Sequence, residues 1–375
     1  MKVCIDATPL DNEHRFRGIG SYVSGLINGL CECSTNIVIT QMRLSNKISR
    51  AACSHTDIVF IQRPVWPSVR FQWLVNELML PFDINRANAR IFHATDPRAI
   101  SVGRGYATIA TAYDLIPLIF ADEYIDDSSL DERLAYKISY KNYKRVDRII
   151  AISESTKTDF IKYLDIDPNK ISVVMPGYDS DLFKPVKNPD LSGYNLPDKF
   201  FLYVGAYDTR KNVRKILEGY ARICKDVEEN FVFTGTISKE QRKRFEEDID
   251  RLGLSRRVIF LGYMPTEVLP CLYSKATAFV FISLYEGFGL PVLEAAACGC
   301  PVITSNTSSL PEAAGSAAVL IDPNDYRELA KWLAILSNDR ETRFLLQERS
   351  VKHAAGFSWK KSAEETIKIY REVLS

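Results

Sequence analysis

Short, almost continuous apolar segments rich in β-branched residues alternate with helical segments along the whole chain. Strands of this kind, separated by helices, are typical of parallel sheets that are covered on both faces. We predict strands at residues 2–6, 37–41, 58–61, 90–93, 108–112, 148–152, 200–204, 230–234, 258–261, 278–282, 301–304 and 318–321. The sequence therefore predicts an α/β fold with doubly wound parallel sheets.

The alternation restarts after a polar, proline-bearing stretch, and 375 residues exceed the core of one ordinary domain. We predict an N-terminal Rossmann-like domain at 1–184, a linker at 185–198 and a C-terminal Rossmann-like domain at 199–357. The two domains are expected to face a central cleft. A last helix at 358–375 is expected to pack back across the domains, because its apolar residues share one face: Trp359, Ala363, Ile367 and Tyr370.

Bulk properties exclude several classes of protein. The net charge of +1 lacks the basic surplus of a protein that coats nucleic acid. Apolar stretches such as 276–282 and 290–298 are too short to cross a bilayer, and no signal peptide is recognised. The eight cysteines form no Cys-x-x-Cys pair, which argues against zinc. We expect a cytoplasmic protein.

The most specific motif follows the predicted strand at 278–282 and reads EGFGLPVLE, from Glu286 to Glu294. Pro291 suits the first turn of a helix, and glycines let the main chain approach a ligand. Free amides at 289–293, at the positive end of the helix dipole, would bind a diphosphate. Glu286 could accept hydrogen bonds from sugar hydroxyls, and Glu294 from a ribose diol. The predicted donor-binding residues of this motif are Gly287, Phe288, Gly289, Leu290, Val292 and Glu294.

Two alternatives weigh against that interpretation. The glycines could only form a turn, with Glu294 complementing the helix dipole. The adjacent cations Arg210 and Lys211, after the strand at 200–204, could likewise form a solvated basic turn. In the functional interpretation, they neutralise a leaving diphosphate, on which charge develops in the transition state.

The spacing of Glu286 and Glu294 matches the Glu-x7-Glu signature of the retaining glycosyltransferases of family four, which have the GT-B fold. The resemblance runs over nearly the whole chain, through RGIGSYV, ISESTKTDF, VGAYDTRKN and VIFLGYMP. Similar proteins are bacterial transferases that build surface polysaccharides such as O-antigen. The resemblance implies transfer of a hexose, with mannose from GDP-mannose favoured, to a saccharide or lipid-linked acceptor. A UDP-sugar-dependent glucosyl- or N-acetylglucosaminyl transferase and a non-catalytic nucleotide-sugar binding protein are the alternatives.

The resemblance also assigns roles by position. It implies that Lys211, with Arg210, contacts the diphosphate, and that a glycine loop with Gly18 and Gly20 approaches it from the first domain. Tyr263 and Met264 lie where the family holds the base. Tyr113 and Asp114 stand where the family usually has His-Asp beside the transferred sugar. A phenol can donate a hydrogen bond, but unlike an imidazole it cannot take up and release a proton near pH 7, and Asp114 could equally cap a turn.

No metal or cofactor is expected. Asp-x-Asp pairs at 165/167, 179/181 and 248/250 lack the context of a metal-binding strand end. His93 follows a strand, and a lone histidine is more often structural than functional. The basic segment Leu134 to Ile150 could contact a membrane surface, although a surface helix that packs Leu134, Ile138 and Val146 inward is favoured.

Overall fold

The computed structural model describes residues 1–12, 15, 18–33, 38–43, 59–62, 79–124 and 130–375. The chain divides into two compact units, Met1–Gly177 with Ser358–Ser375, and Tyr178–Phe357. The first unit thus ends earlier than the sequence predicts, and the predicted linker at 185–198 lies inside the second unit. Each unit is an α/β domain with a parallel sheet, which confirms the predicted fold class.

In the described part of the first unit, seven parallel strands have the order β3-β2-β1-β4-β5-β6-β7. The order reverses between β1 and β4, and such a switch point is where open α/β sheets bind ligands. The strands are β1 (Lys2–Asp6), β2 (Val38–Arg43), β3 (Val59–Gln62), β4 (Ile91–Ala94), β5 (Ala107–Ala112), β6 (Arg148–Ala151) and β7 (Ile171–Val173). The helices are α1 (Gly18–Cys33), α2 (79–86), α3 (Ile116–Ile119), α4 (Ala121–Tyr124), α5 (Leu130–Tyr143) and α6 (Glu154–Leu164).

The second unit repeats this topology with six parallel strands in the order β10-β9-β8-β11-β12-β13. The strands are β8 (Phe200–Val204), β9 (Asn230–Thr234), β10 (Val258–Phe260), β11 (Ala278–Phe281), β12 (Val302–Ser305) and β13 (Val319–Ile321). The helices are α7 (Val213–Ala221), α8 (Lys239–Arg251), α9 (Leu269–Lys275), α10 (Leu290–Ala297), α11 (Leu310–Ala314), α12 (Tyr326–Asn338) and α13 (Arg340–Ala354). The chain then returns to the first unit with α14 (Trp359–Leu374).

Every predicted strand is present, with ends within about two residues of the prediction, as is usual for element boundaries. The predicted starts at 37 and 58 lie outside the described residues. Strand β7, a three-residue strand at the end of the sheet order, is missed. Strands β4, β11 and β12 are buried along their whole length, as expected of a sheet covered on both faces.

The segment 134–150 is not one continuous helix, because α5 ends at Tyr143 and β6 begins at Arg148. Val146 is fully buried, but Leu134 is 42% exposed, so the inward packing of Leu134 is wrong. Among the described residues, no helix combines the length and hydropathy that a bilayer crossing needs.

Helix α14 packs along α1, and this contact places the end of the chain in the first unit. The predicted apolar face is confirmed, since Ala363, Ile367 and Tyr370 are buried. Trp359 lies over the two small residues Gly25 and Gly29. A Cβ atom at Gly29 would lie 2.3 Å from the main-chain oxygen of Trp359, so the two helices approach too closely for any larger residue.

We therefore expect Gly29→Ala to lower the free energy of unfolding by about 2 kcal/mol. Overpacking of this severity costs up to about 3 kcal/mol, against a gain of about 1 kcal/mol for alanine in a helix. Gly193→Ala is the control, because a Cβ there meets nothing within 4 Å. Urea unfolding measures both variants, and equal stabilities would contradict the packing described here.

Candidate active site

Two loops of the second unit, after β8 and after β11, are held together at the carboxyl edge of the sheet. The loop after β8 forms a short 3-10 turn, Thr209–Lys211, which ends at Asn212 with a φ of +57°. The Asn212 amide group donates to the carbonyl oxygens of Ile282, at 3.2 Å, and Pro323, at 2.7 Å. The Leu284 amide donates to the Arg210 carbonyl at 2.7 Å. These bonds fix the two basic residues against the loop that carries Glu286.

The carboxylate of Glu286 lies between the two cations. Its Oε1 is 2.6 Å from Nζ of Lys211, and its Oε2 is 3.0 Å from Nη1 of Arg210. All three side chains are only 10–13% exposed. The Lys211 ammonium also lies 4.6 Å from the centre of the Phe281 ring, a cation–π contact. The basic turn is thus a buried ion cluster, not a solvated turn.

Burial and charge act against each other in this cluster. Burial lowers the pKa of Lys211, although the Glu286 carboxylate opposes the shift. Burial alone would raise the pKa of Glu286, but Lys211 and Arg210 together outweigh it and hold that pKa below its usual range. Glu286 is therefore ionised at neutral pH.

The glycine motif leads into α10 as predicted, but fewer of its amides are free than expected. Gly289 has a φ of +109° and caps the helix. The amides of Val292 and Leu293 donate to the Gly289 carbonyl at 2.9 and 3.3 Å, so the prediction of free amides is wrong for both. In the described structure, the amides of Phe288 and Gly289 make no backbone hydrogen bond. They remain the main-chain donors that an anion could use.

The side chains of this motif serve packing. The Phe288 ring is buried and lies 6.0 Å from the ring of Phe357, and Val292 is fully buried. Gly287 is buried, and Leu290 is half-buried. Within this motif, we therefore expect only the side chains of Glu286 and Glu294 to contact a ligand.

Glu294 lies in α10 and is half-buried. Burial raises its pKa to about 7. Its carboxyl group can accept a hydrogen bond from each hydroxyl of a diol with both oxygens when it is ionised, so near neutral pH a bound diol would favour loss of the proton.

Glycines lie at the ends of the neighbouring strands β8, β9 and β10: Gly205 and Gly235 directly follow β8 and β9, and Gly262 lies two residues after β10. The Gly235 amide donates to the Gly262 carbonyl at 2.9 Å, and the Gly205 amide donates to the Thr234 carbonyl at 3.0 Å. A Cβ at Gly235 would lie 1.8 Å from the Gly205 oxygen. Sequence reasoning missed Gly235, although the shared ending of three apolar strands signals it. Beyond these glycines, Tyr263 is 58% exposed and Met264 is buried.

In the first unit, Gly18 and Gly20 do not form a loop, because they are the first residues of α1. Tyr113 is 7% exposed, and its ring lies 5.3 Å from that of Tyr22. Burial raises the pKa of Tyr113 well above its usual value, so the phenol stays neutral. Asp114 accepts the Ile116 amide at 2.9 Å, in the turn that leads into α3.

Other polar residues of the first unit bind to one another. His93 is fully buried between Tyr370 Oη, 2.7 Å from its Nδ1, and Thr111 Oγ1, 2.8 Å from its Nε2. Burial lowers the pKa of His93 to about 3, so it is a neutral structural residue. The buried carboxylate of Asp6 accepts both the amide and the hydroxyl of Thr8 and the amide of Asp96.

The three Asp-x-Asp pairs make local contacts. Asp179 accepts the amides of Asp181 and Leu182, and Asp248 pairs with Arg251 at 2.7 Å. Asp167 accepts the Asn169 amide at 2.9 Å. Within the described ranges, no three His, Cys, Asp or Glu side chains are grouped as metal ligands would be.

The chain has two doubly wound parallel sheets, and a charged cluster and a helix N-terminus lie beyond the strand ends of the second. This combination is typical of the class of α/β proteins that bind anionic ligands such as nucleotides. Residues 16–182 match the family described as "Glycosyltransferase Family 4", and residues 187–353 match "Glycosyl transferases group 1". The chain therefore belongs to the glycosyltransferases that carry these two domains in succession.

Similar proteins include the serotype-specific mannosyltransferase WbdA of Escherichia coli, 29% identical over 72% of this chain. The matched region is 34% of WbdA, so the chain spans about a third of that relative. The O-antigen chain mannosyltransferase B of E. coli is 31% identical over 60% of each chain. The crystal structure of Anabaena HepE in complex with UDP and glucose shares the GT-B fold, with a TM-score of 0.75, 16% identity and 99% coverage of both chains.

The raised pKa of Glu294 predicts how its removal affects stability. The folded state holds the proton more tightly than the unfolded state, so stability is lost as the pH rises towards about 7. We expect Glu294→Gln to raise the free energy of unfolding at pH 8 by at most about 3 kcal/mol, with a gain that vanishes near pH 4.5. Urea unfolding across this pH range measures the gain. A variant less stable than the parent at pH 8 would show that Glu294 is structural.

Proposed function

We propose that the protein transfers a hexose, with retention of configuration, from a nucleotide diphosphate-sugar to a saccharide or lipid-linked acceptor. The observation that supports this proposal most strongly is the buried cluster of Lys211, Arg210 and Glu286 beside the amides that precede α10. Cations and main-chain amides bind a diphosphate, and a carboxylate accepts hydrogen bonds from sugar hydroxyls. The cluster offers both kinds of group within one sheet edge.

The cluster would act mainly on the leaving group. Negative charge grows on the diphosphate as the glycosidic bond breaks, so cations already in place stabilise the transition state more than the ground state. In the structure, Lys211 and Arg210 neutralise Glu286. A bound diphosphate would pair with Lys211 and Arg210 in part. The Glu286 carboxylate would then be available to accept hydrogen bonds from hydroxyls of the transferred sugar.

The acceptor hydroxyl would attack on the face that the diphosphate leaves, and the leaving oxygen would take its proton. No protein nucleophile is needed, and the charge on the diphosphate is met by Lys211, Arg210 and the amides of Phe288 and Gly289, without a metal ion. Tyr113, which burial keeps neutral, could donate a hydrogen bond in such a step but would neither give up nor take up a proton. Glu294 would bind the ribose diol.

GDP-mannose is the favoured donor, because the similar proteins WbdA and mannosyltransferase B are mannosyltransferases. Their role in serotype and O-antigen synthesis favours an acceptor in surface polysaccharide assembly, on the cytoplasmic side of the membrane. The exposed Leu134 and the exposed Lys137, Lys141 and Lys144 beside it would suit peripheral contact with anionic lipid. The complex of HepE with UDP supports the second candidate, a UDP-sugar donor.

The donor is tested by incubating the protein with GDP-mannose, UDP-glucose and UDP-N-acetylglucosamine, with and without EDTA. We expect release of nucleoside diphosphate from GDP-mannose, at the same rate in EDTA, with an α-linked product by NMR. Turnover of a UDP-sugar instead would select the second candidate. Loss of all activity in EDTA would contradict the metal-independent mechanism.

Lys211→Met removes the ammonium and keeps an apolar side chain of similar length against Phe281. We expect kcat/KM to fall by about 10²–10³-fold, the usual loss when one preplaced donor to a developing anion is removed. Lys215→Met is the control, because Lys215 pairs with Glu218 and also lies over an aromatic ring, that of Tyr326. Equal activity of the two variants would exclude Lys211 from the diphosphate site.

A further inference from the structure

Ser308, in the loop between β12 and α11, has a φ of +55°, in the left-handed region. Within the described ranges, five other non-glycine residues have a positive φ, and all are asparagine or aspartate: Asn88, Asp165, Asn188, Asn195 and Asn212. Those two residue types tolerate this region because of local side-chain hydrogen bonds. Serine adopts it at a cost, and such outliers persist where the surroundings enforce them.

The hydroxyl of Ser308 binds the main chain of Glu286 in both directions. It accepts the Glu286 amide at 3.2 Å and donates to the Glu286 carbonyl at 2.6 Å. The buried hydroxyl of Ser309 donates to the same carbonyl at 2.8 Å. We call Ser308 and Ser309 the serine clasp.

The serine clasp holds the main chain of Glu286 while the cations hold its side chain. Lys211 and Arg210 contact Glu286 through its carboxylate, at 2.6 and 3.0 Å. Arg210 also pairs with Asp208 at 3.4 Å and donates to the Tyr285 carbonyl at 3.3 Å. A carboxylate can lie between two cations in several ways if its main chain moves. With both backbone groups bound, the position of the carboxylate is fixed.

The presence of serine at position 308 indicates that the hydroxyl group matters more there than an unstrained backbone. Glycine would adopt a φ of +55° without cost, but it offers no hydroxyl. Asparagine would suit the backbone equally, as it does at Asn212. Serine has the less favourable backbone and a short hydroxyl that both accepts and donates, and both capacities are used.

We propose that Ser308 is a positioning residue: through its two hydrogen bonds to the Glu286 main chain, it sets where the Glu286 carboxylate meets the sugar of the donor. This inference rests on the proposed function, because it takes Glu286 as the residue that contacts the sugar. Ser308 itself touches no ligand in this account.

Ser308→Gly removes the hydroxyl and relieves the backbone. We expect kcat/KM to fall by about ten- to a hundred-fold, as small displacements near reacting groups do, while the unfolding midpoint stays at or above that of the control. The control is Ser362→Ala, because the Ser362 hydroxyl donates to the Met175 carbonyl at 2.6 Å, a bond of the same kind that lies within the first unit. We expect the control to keep its kcat/KM.

Calorimetric titration separates positioning from a general loss of structure. In Ser308→Gly, the affinity for GDP-mannose should fall, while the affinity for GDP, which has no sugar, should not. A parallel loss of both affinities, or a lowered unfolding midpoint with activity retained, would show that Ser308 only stabilises the loop. UDP and its sugar replace GDP and GDP-mannose if the donor panel selects them.

A double-mutant cycle with Glu286→Gln then tests whether Ser308 acts through Glu286. We expect Ser308→Gly to change kcat/KM little in the Glu286→Gln background, because groups that act as a unit are not additive. Undiminished turnover in Glu286→Gln alone would overturn the proposed function. The positioning role would be overturned if Glu286→Gln lowers kcat/KM but Ser308→Gly does not. It would also be overturned if the losses of the two variants are fully additive in the double variant. If the protein turns over no donor of the panel, the free energy of unfolding is measured for the same four proteins of the cycle. A coupling energy of zero between the two sites would then reject the inference.

Discussion

The ion cluster of Glu286 with Lys211 and Arg210 is the interaction on which the second unit's candidate site depends. A carboxylate or an ammonium left alone at such burial would be very unfavourable, so the charges must be held in contact. The partners come from loops 75 residues apart, and small errors in either loop would separate them. The surrounding main-chain bonds follow from this constraint: the Asn212 amide group spans two loops, and the serine clasp fixes Glu286.

The fold could be predicted because periodicity is a local property. The apolar strands and their order of appearance are visible in the sequence, and among the described strands the sequence missed β7, which ends the sheet order of the first unit. The division into units was harder to predict, because it depends on packing. The stretch from 185 to 198 looks like a linker by composition, yet Leu191 is buried and the Val186 amide donates to Ser274 of the second unit. Prolines and polar residues do not show which surface a segment covers.

Within the site, the sequence indicates which residues lie at the sheet edge but not how they are paired. Lys211 and Glu286 each follow a parallel strand, so their proximity could be predicted; that each neutralises the other is visible only in the structure. The amides of Val292 and Leu293 are lost to Gly289 because the first turn of α10 closes on itself. Ser308 was overlooked because serine is common in loops, and its left-handed backbone leaves no trace in the residue type.

Unfavourable local features occur in both units. In the first unit, burial raises the pKa of Asp6 to about 6, but Asp6 and His93 have hydrogen-bond partners within the fold. In the second unit, at the sheet edge of the candidate site, burial raises the pKa of Glu294, and Ser308 has a left-handed backbone. The Glu286 carboxylate is buried between two cations there, of which Arg210 also pairs with Asp208. Such an arrangement does not stabilise the packing of the unit. A ligand that brings negative charge and hydroxyl groups would bind these charged and strained groups and so lower their cost in free energy. A ligand at about a hundred times its dissociation constant stabilises the folded state by about 2.7 kcal/mol, which is enough to offset costs of this order. The features that weaken this edge in the empty protein are thus those expected of a site shaped for a bound diphosphate and sugar.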